Sequence, residues 1–194
     1  MIQLRKTNFD FEVSIMSNPT IETILARSSY RGEYQNISVP REDLIAIMEA
    51  GLAAPSGCNQ QTTSIIAIDD PAVLTDVKKI ITRPNLQSVP ALICVLTQEI
   101  ASYRGNSYHV QDYAAAIQNM LLAMKSLGYD SCWYEGYMNN EAGLGQKVAD
   151  YLGVPEDYRL ICVLPVGIAA EPLRKVEKKP FEQRAWFNGF PKEL

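Results

Sequence analysis

Residues 108–127 read YHVQDYAAAIQNMLLAMKSL and form the longest stretch of helical periodicity in the chain. One face is marked by apolar residues at helical spacing, namely Tyr113, Ile117, Met120, Leu121, Met124 and Leu127. The other side carries alanines rather than charges. A helix that is apolar on nearly all sides is buried all round. In a domain of this size, such a helix indicates burial against a second subunit.

Shorter elements lie on both sides of this helix in the sequence. Apolar runs predict four strands, at residues 63–68, 89–97, 130–134 and 160–166. Asn18-Pro19 and Asp70-Pro71 each place a capping side chain before a proline at the first helical position, which predicts that helices begin there. Two further helices are predicted, from Pro40 to just before Pro55 and from Asn140 to Leu152. Helices that separate strands by variable lengths predict the α+β class.

The composition is that of a globular protein. Of the 194 residues, 47% are hydrophobic and 21% are charged, and 18 basic against 22 acidic residues give a net charge of −4. We predict an extended arm at residues 1–17 and a single domain at residues 18–194, which includes the C-terminal tail. The charge balance offers little to neutralise the phosphates of a nucleic acid. The apolar runs are far shorter than the roughly 20 residues of a membrane span, and residues 1–13 do not form a secretory signal. We therefore expect a cytoplasmic protein with no nucleic-acid and no membrane partner.

The cysteines and the histidine do not predict a metal site. Cys58, Cys94, Cys132 and Cys162 lie far apart and never form a CxxC pair, and His109 is the only histidine. These are too few ligands at metal spacing. We expect the cysteines to be buried free thiols in a reducing compartment.

Polar clusters stand out against the apolar background. They are RSSYR at 27–31, APSGCNQQ at 54–61, WYEG at 133–136 and the lysine pair at 178–179. Arginines and hydroxyls suit a phosphate, and asparagine and glutamine amides suit paired donor and acceptor edges. Each cluster taken alone is also typical of a helix end, an ordinary loop, a strand end or a solvated tail. Together they predict a ligand with an anionic end and a polar aromatic ring.

Other catalytic motifs do not account for these clusters. The chain has no GxxxxGK[ST] and no GxSxG motif, and Gly143-Leu-Gly145 lacks both the third glycine and the preceding strand of a dinucleotide site. We expect His109 at the surface or at a pocket rim. Asp112 follows it on the same predicted helix, where a first-turn carboxylate complements the helix dipole.

From Pro19 to Phe190 the chain resembles the nitroreductase-like FMN-dependent oxidoreductases. The resemblance is carried by RSSYR at 27–31, APSGCNQQ at 54–61, DYAAAIQNMLLA at 112–123, GYDSCWYEG at 128–136, LPVG at 164–167 and KKP at 178–180. It implies an α+β, nitroreductase-like fold in which a central, mostly antiparallel sheet is flanked by helices. It also implies an intertwined homodimer with two FMN sites in its interface.

The resemblance also implies which residues bind FMN. Arg27, Ser28 and Ser29 would meet the phosphate and the ribityl chain, and Lys178 and Lys179 would return to the phosphate. Arg31 would lie near N1 and O2 of the ring, and the segment of Tyr134, Glu135 and Gly136 would turn the N–H groups of its last two residues to N5 and O4. Pro55, Ser56, Asn59 and Gln61 would come from the other subunit, with Asn59 on the pyrimidine edge.

The sequence departs from the family's pattern in two motifs and in one short segment. Ser28 stands where the family often has a second arginine, and Gln61-Thr62-Thr63 stands where it often has Gln-Pro-Trp. The segment 98–111 is short where larger members carry a helical lid. Tyr103, Arg104, Tyr108 and His109 lie in that segment, either as solvated loop residues or as walls of a substrate pocket.

The resemblance implies a homodimeric FMN enzyme that oxidises NADH or NADPH and reduces a nitroaromatic or quinone-like acceptor by ping-pong hydride transfer. No protein acid or base is predicted to be essential, because the flavin supplies the redox chemistry. Two alternatives stay open. One is a specialised flavin-fold member that performs flavin breakdown, reductive dehalogenation or oxidation of a peptide-borne ring. The other is a non-catalytic flavin-binding protein.

Overall fold

A computed structural model describes residues 18–140, 143–174 and 176–191. The arm predicted at residues 1–17 lies outside the described residues. In chain order the elements are α1 (Pro19–Ala26), α2 (Arg41–Leu52), β1 (Thr63–Ile68), α3 (Pro71–Ile80), β2 (Ala91–Thr97), α4 (His109–Ser126), α5 (Gly136–Asn140), α6 (Leu144–Tyr151) and β3 (Arg159–Val166). Within the described ranges, no helix is long and apolar enough to span a membrane.

The strands form one antiparallel sheet in the order β1-β2-β3, with β2 in the centre. Every residue of β2 is buried. Successive side chains of a strand point to opposite faces, and here both faces are covered. Leu92, Cys94 and Leu96 belong to one buried cluster, and Ala91, Ile93 and Val95 belong to the other.

Helices cover the two faces of the sheet in separate groups. Leu74 of α3 and Val148 of α6 pack in the first cluster. Ile47 of α2 and Met120 of α4 pack in the second. The α+β class predicted from the sequence pattern is confirmed, and so is the antiparallel sheet flanked by helices that the resemblance implies. The outer side of α4 is less covered, since Ala115 and Leu122 are only half-buried in the single chain.

One predicted strand is wrong, and one predicted helix begins later than expected. The strand at 130–134 consists of isolated bridges, because Ser131 pairs with Ser29 while Asp130 and Tyr134 pair with β3 and the residue after it. The helix predicted from Asn140 to Leu152 corresponds to α6, which begins four residues later than expected, at Leu144. Gly143, at the start of α6, has φ +68, a left-handed conformation that favours glycine and interrupts a helix.

The cysteines are free, as predicted, and three of the four are buried. Cys58 is exposed, because it lies in the loop between α2 and β1 rather than in an apolar run.

Candidate functional site

Cationic side chains from distant parts of the sequence line one cavity of about 660 Å³. The cations are Arg27, Arg31, Lys125, Arg174 and Lys178. Ser28 and Ser29 add two hydroxyl groups, and among the residues that the structure describes none that lines the cavity is acidic. Guanidinium, ammonium and hydroxyl groups in one concave site are the donors that bind a phosphate. We call this space the basic cavity.

The RSSYR motif reaches the basic cavity because helix α1 ends just before it. Arg27 is the C-cap residue with extended backbone, and its N–H donates to the carbonyl of Thr23 at 3.0 Å. The chain then runs beside the segment that follows α4. Ser29 forms a parallel bridge with Ser131, and the N–H of Tyr30 donates to the carbonyl of Ser131 at 2.9 Å. This pairing fixes the direction of the motif.

The phenol of Tyr30 connects the motif to the C-terminal tail. Tyr30 is buried, its O–H donates to the carbonyl of Glu33, and its oxygen accepts the N–H of Glu171 at 3.3 Å. The chain after Glu171 therefore begins against the motif and carries Arg174 and Lys178 to the basic cavity.

A second cavity of about 440 Å³ adjoins the first. Ser29, Arg31, Arg174 and Val176 line both. Arg31 thus faces two neighbouring spaces, whereas Arg27 lines only the basic cavity. Burial raises the pKa of the nearby Cys132 thiol, and the positive charge of Arg31 opposes that rise.

The segment 133–136 is fixed through the side chain of Glu135. One carboxylate oxygen accepts the O–H of Tyr113 and the other accepts the indole N–H of Trp133, each at 2.8 Å. Burial raises the pKa of Tyr113 to about 12, and its hydrogen bond to Glu135 acts in the same direction. Gly136 begins α5, where the first N–H groups have no acceptor within the helix.

Tyr134 lies in the core rather than at either cavity. Its N–H donates to the carbonyl of Val163 at 3.2 Å, its hydroxyl accepts from the side-chain amide of Asn85, and the Arg83 guanidinium lies 5.1 Å from its ring centroid. Burial raises its pKa. Its cofactor contact stays a prediction.

The loop 54–61 lines a separate space of about 190 Å³ with Asp112 and the end of α2. Pro55, Asn59 and Gln61 are exposed, and Ser56 is half-buried with its hydroxyl oxygen accepting the N–H of Gln61 at 3.0 Å. Asp112 is in the first turn of α4, as predicted, but it is buried and bonded to this loop.

The single chain therefore brings together some, but not all, of the residues predicted to bind FMN. Arg27, Ser28, Ser29, Arg31 and Lys178 line the basic cavity. Lys179 is exposed and is not among the residues that line it. None of Pro55, Ser56, Asn59 and Gln61 lines the basic cavity or the one that adjoins it.

Sequence reasoning missed two cations of the basic cavity. Arg174 lies in the basic tail four positions before Lys178, and that spacing is a signal that could have found it. Lys125 lies in the last turn of α4, where a cation is also expected for the helix dipole, and it forms an ion pair of 3.5 Å with Asp130. The residues around Lys125 in the sequence do not indicate that it lines a cavity.

The nitroreductase family model matches residues 24–87 and 78–168, so the chain belongs to the nitroreductase family. The resemblance stated from the motifs is confirmed. The matched residues include the RSSYR motif, the loop 54–61, α4 and the segment 133–136.

Individual proteins agree with this assignment. The chain is 28% identical over 172 residues to an Archaeoglobus fulgidus protein assigned as an NADH dehydrogenase/NAD(P)H nitroreductase, covering 87% of this chain and 92% of that one. A Parabacteroides distasonis structure with the same assignment superposes with a TM-score of 0.75 at 28% identity, covering 90% of this chain and all of that one. A nitroreductase structure from Bacteroides fragilis with bound FMN superposes with a TM-score of 0.66 at 29% identity, covering 84% of this chain and 95% of that one.

Proposed function

We propose that this nitroreductase-family protein is an FMN-dependent NAD(P)H oxidoreductase. The observation that carries the proposal is the basic cavity, in which Arg27, Ser28, Ser29 and Lys178 meet within the family's fold. This donor set fits the phosphate end of FMN, since it offers cations and hydroxyls, and no carboxylate lines the cavity within the described part of the chain. The FMN bound in the Bacteroides fragilis structure supports the same choice of cofactor.

Different residues bind different parts of the cofactor. Arg27, Ser28, Ser29 and Lys178, which line the basic cavity, take the phosphate and the ribityl chain, and Arg174 of the same lining assists them. Lys179, next to Lys178 in the sequence, reaches the phosphate from outside the lining. Arg31, which lines the adjoining cavity too, lies at the N1 and O2 edge of the ring. In the segment of Tyr134, Glu135 and Gly136, the N–H groups of the last two residues face N5 and O4. The bonds of the Glu135 side chain to Tyr113 and Trp133 hold this segment.

The remaining part of the site comes from a second copy of the chain. Pro55, Ser56, Asn59 and Gln61 lie apart from the basic cavity in one chain. In a homodimer they reach the flavin of the other subunit, with Asn59 on its pyrimidine edge. Exposed apolar side chains such as Ile24, Leu25 and Phe187 are then covered by the partner.

Bound FMN supplies the redox chemistry, accepting electrons from NADH or NADPH and passing them to a flat aromatic acceptor of the nitroaromatic or quinone type at the same site in turn. The chain's own residues bind and orient. No protein acid or base is assigned to the reaction. The free thiols suit a reducing compartment, and we place the protein in the cytoplasm.

The test is a visible spectrum of the purified protein, followed by anaerobic addition of NADH or NADPH. We expect a yellow protein with about one FMN per chain, bleaching on addition of the nucleotide, and recovery of the colour when a nitroaromatic or a quinone is added. A protein that neither contains nor binds FMN would overturn the proposal. Binding without bleaching would identify a flavin-binding protein that is not this enzyme.

A further inference from the structure

The loop 54–61 is held in a backbone conformation that its own residues do not favour. Cys58, Asn59 and Gln61 have φ values of 52°, 54° and 50°, in the left-handed region. Asparagine tolerates that region, but Cys58 and Gln61 stay there only where their surroundings fix them, and such positions gather at ligand sites. Something outside the loop must therefore determine its shape.

Asp112 of helix α4 is that outside group. It is 4% exposed, and both of its carboxylate oxygens are used. One accepts the N–H of Gly57 at 2.7 Å, and the other accepts the O–H of Thr62 at 2.7 Å. Gly57 precedes the three left-handed residues and Thr62 follows them, so a single side chain holds both ends of the strained stretch. Thr62 is 2% exposed, so this contact is shielded from water.

The opposite side of the same loop faces outward. Asn59 and Gln61 are exposed, and neither of their side chains is tied down by the buried anchor. Inside, Tyr108 packs so closely on Gly57 that a Cβ placed on Gly57 would lie 2.5 Å from the Cβ of Tyr108. The loop thus has a fixed inner side and presents its amides on the outer side.

We propose that Asp112, acting with Thr62, is a positioning residue that sets the geometry of the loop 54–61 for the pyrimidine edge of the flavin. This rests on the proposed function, in which Asn59 meets that edge. Asp112 itself does not contact the cofactor in this scheme. Thr62 lies directly after the loop, in the Gln61-Thr62-Thr63 stretch where the sequence departs from the family's pattern.

A positioning role for Asp112 differs from a purely structural role in its effect on the discrimination between flavins. If Asp112 only stabilised the fold, its loss would lower the affinity for every flavin equally. If it aims the loop at the pyrimidine ring, its loss removes the discrimination between ligands that differ at that ring. N3-methyl-FMN is the matching probe, because the methyl group replaces the N3–H donor and leaves the phosphate end unchanged.

The experiment measures the dissociation constants of FMN and N3-methyl-FMN for the full-length protein by flavin fluorescence. We expect the wild-type protein to bind FMN about tenfold more tightly than the analogue, the size of effect that one lost hydrogen bond to a buried partner produces. Asp112→Leu and Thr62→Val should both reduce that ratio to about twofold. Asp112→Leu leaves the N–H of Gly57 and the hydroxyl of Thr62 without their acceptor, and Thr62→Val leaves a carboxylate oxygen of Asp112 without its donor.

Conservative variants serve as matched controls. Asp112→Asn can accept the N–H of Gly57 and donate to the hydroxyl of Thr62, and Thr62→Ser keeps the hydroxyl, so both should restore the ratio to near the wild-type value. Arg27→Ala should weaken both flavins by the same factor and keep the ratio. If Asp112→Leu fails to fold, the pair Thr62→Val and Thr62→Ser decides alone.

Each outcome separates this inference from the proposed function. A wild-type protein that binds neither flavin overturns the proposed function. A wild-type protein that binds both equally overturns the placement of the loop at the pyrimidine edge, and with it this inference, while FMN binding stands. An unchanged ratio in both Asp112→Leu and Thr62→Val overturns the positioning role alone.

Discussion

Arg27 and Arg31 are four positions apart, yet they face different spaces. Arg27 lines only the basic cavity, whereas Arg31 lines the adjoining cavity as well. Arg31 is exposed, so solvent screens its charge. Two unit charges about 4 Å apart attract by roughly 4 kcal/mol at an effective dielectric near 20. Screening and the diffuse charge of a reduced flavin reduce that to about 1–2 kcal/mol.

The Arg31→Ala variant should therefore retain partial FMN binding but show a lower midpoint potential. The expected change is on the order of 30 mV, because about 1.4 kcal/mol corresponds to 30 mV for a two-electron couple. The reason is that a cation at the N1–O2 edge stabilises the reduced form more than the oxidised form. The measurement is a spectroelectrochemical titration of the bound flavin.

Arg27→Ala is the matched comparison for that titration. It should weaken FMN binding while leaving the potential of the bound flavin nearly unchanged, since a phosphate contact does not distinguish the two redox states. If the two variants gave interchangeable effects, or Arg31→Ala kept the wild-type potential, the roles of the two arginines would be assigned wrongly.

Gly57 allows the close approach of Tyr108 to the loop 54–61. An added Cβ would lie 2.5 Å from the Cβ of Tyr108 and 2.6 Å from its Cγ, and neither atom is at the flexible end of the side chain. We expect Gly57→Ala to lower the free energy of unfolding by about 1–3 kcal/mol, as overpacking does. The measurement is urea denaturation.

The control for Gly57→Ala is Gly189→Ala, because an added Cβ at Gly189 meets nothing within 4 Å. That variant should unfold at nearly the wild-type urea concentration. If Gly57→Ala were as stable as the wild-type protein, Tyr108 would be able to move away from the added methyl group at little cost in free energy.

Helix α4 connects the core to the candidate site. Ile117 is fully buried on the side that faces the sheet, while the neighbouring Gln118 is exposed. Ile117→Ala should lower the free energy of unfolding by about 2–5 kcal/mol, from lost burial and the cavity that remains. Gln118→Ala, on the same helix, should change it by less than about 0.5 kcal/mol. Chemical denaturation of both variants tests the direction in which α4 is buried.

Tyr113 gives α4 a pH-dependent contribution to stability. Its pKa in the folded protein is about 12, while an unfolded tyrosine titrates near about 10. A raised pKa means that the neutral phenol stabilises the fold fully below about pH 10 and that this contribution is lost as the pH rises towards 12. We expect the free energy of unfolding to fall more steeply between pH 10 and 12 in the wild-type protein than in Tyr113→Phe.

The size of that difference should be on the order of 2 kcal/mol across this pH range. The measurement is urea unfolding at a series of pH values. If the free energies of unfolding of the two proteins changed in parallel with pH, Tyr113 would ionise at the same pH in the folded and the unfolded chain.

The sequence predicted elements best where one strong signal dominated. Proline after a capping Asn18 or Asp70 located the starts of α1 and α3, and both caps accept hydrogen bonds as expected. It failed at 130–134, because the apolar pattern of a strand does not reveal that its bridges go to different segments. Within the site, the motifs identified three of the five cations that line the basic cavity, Arg27, Arg31 and Lys178, together with both of its serines. Arg174 and the buried bonds of Asp112 depend on contacts between distant segments, which local patterns do not encode.

Exposed apolar side chains set the expectation for the whole molecule. Leu25 is 68% exposed and Phe187 is 82% exposed in the single chain. Exposed apolar patches of this kind mark interaction surfaces. We expect a homodimer at micromolar concentration that buries well over 2,000 Å², as permanent interfaces do. Light scattering of the wild-type protein is the direct measurement.

Variants can test which surface forms that dimer. Leu25→Asp and Phe187→Asp should shift the protein towards monomer, because each would place a charge in an apolar interface. Lys147→Asp, at an exposed position of α6, is the control and should leave the mass unchanged. A folded wild-type monomer at micromolar concentration would contradict the dimer.

The meeting of Glu171 with Tyr30 has a consequence for biosynthesis. The basic cavity combines residues of the RSSYR motif with Arg174 and Lys178, which the ribosome adds much later than that motif. A nascent chain that stops before residue 171 lacks Arg174 and Lys178, however well its sheet has formed. Ligand capture at this cavity, and the stabilisation by mass action that follows from it, therefore begins only after translation has passed the tail.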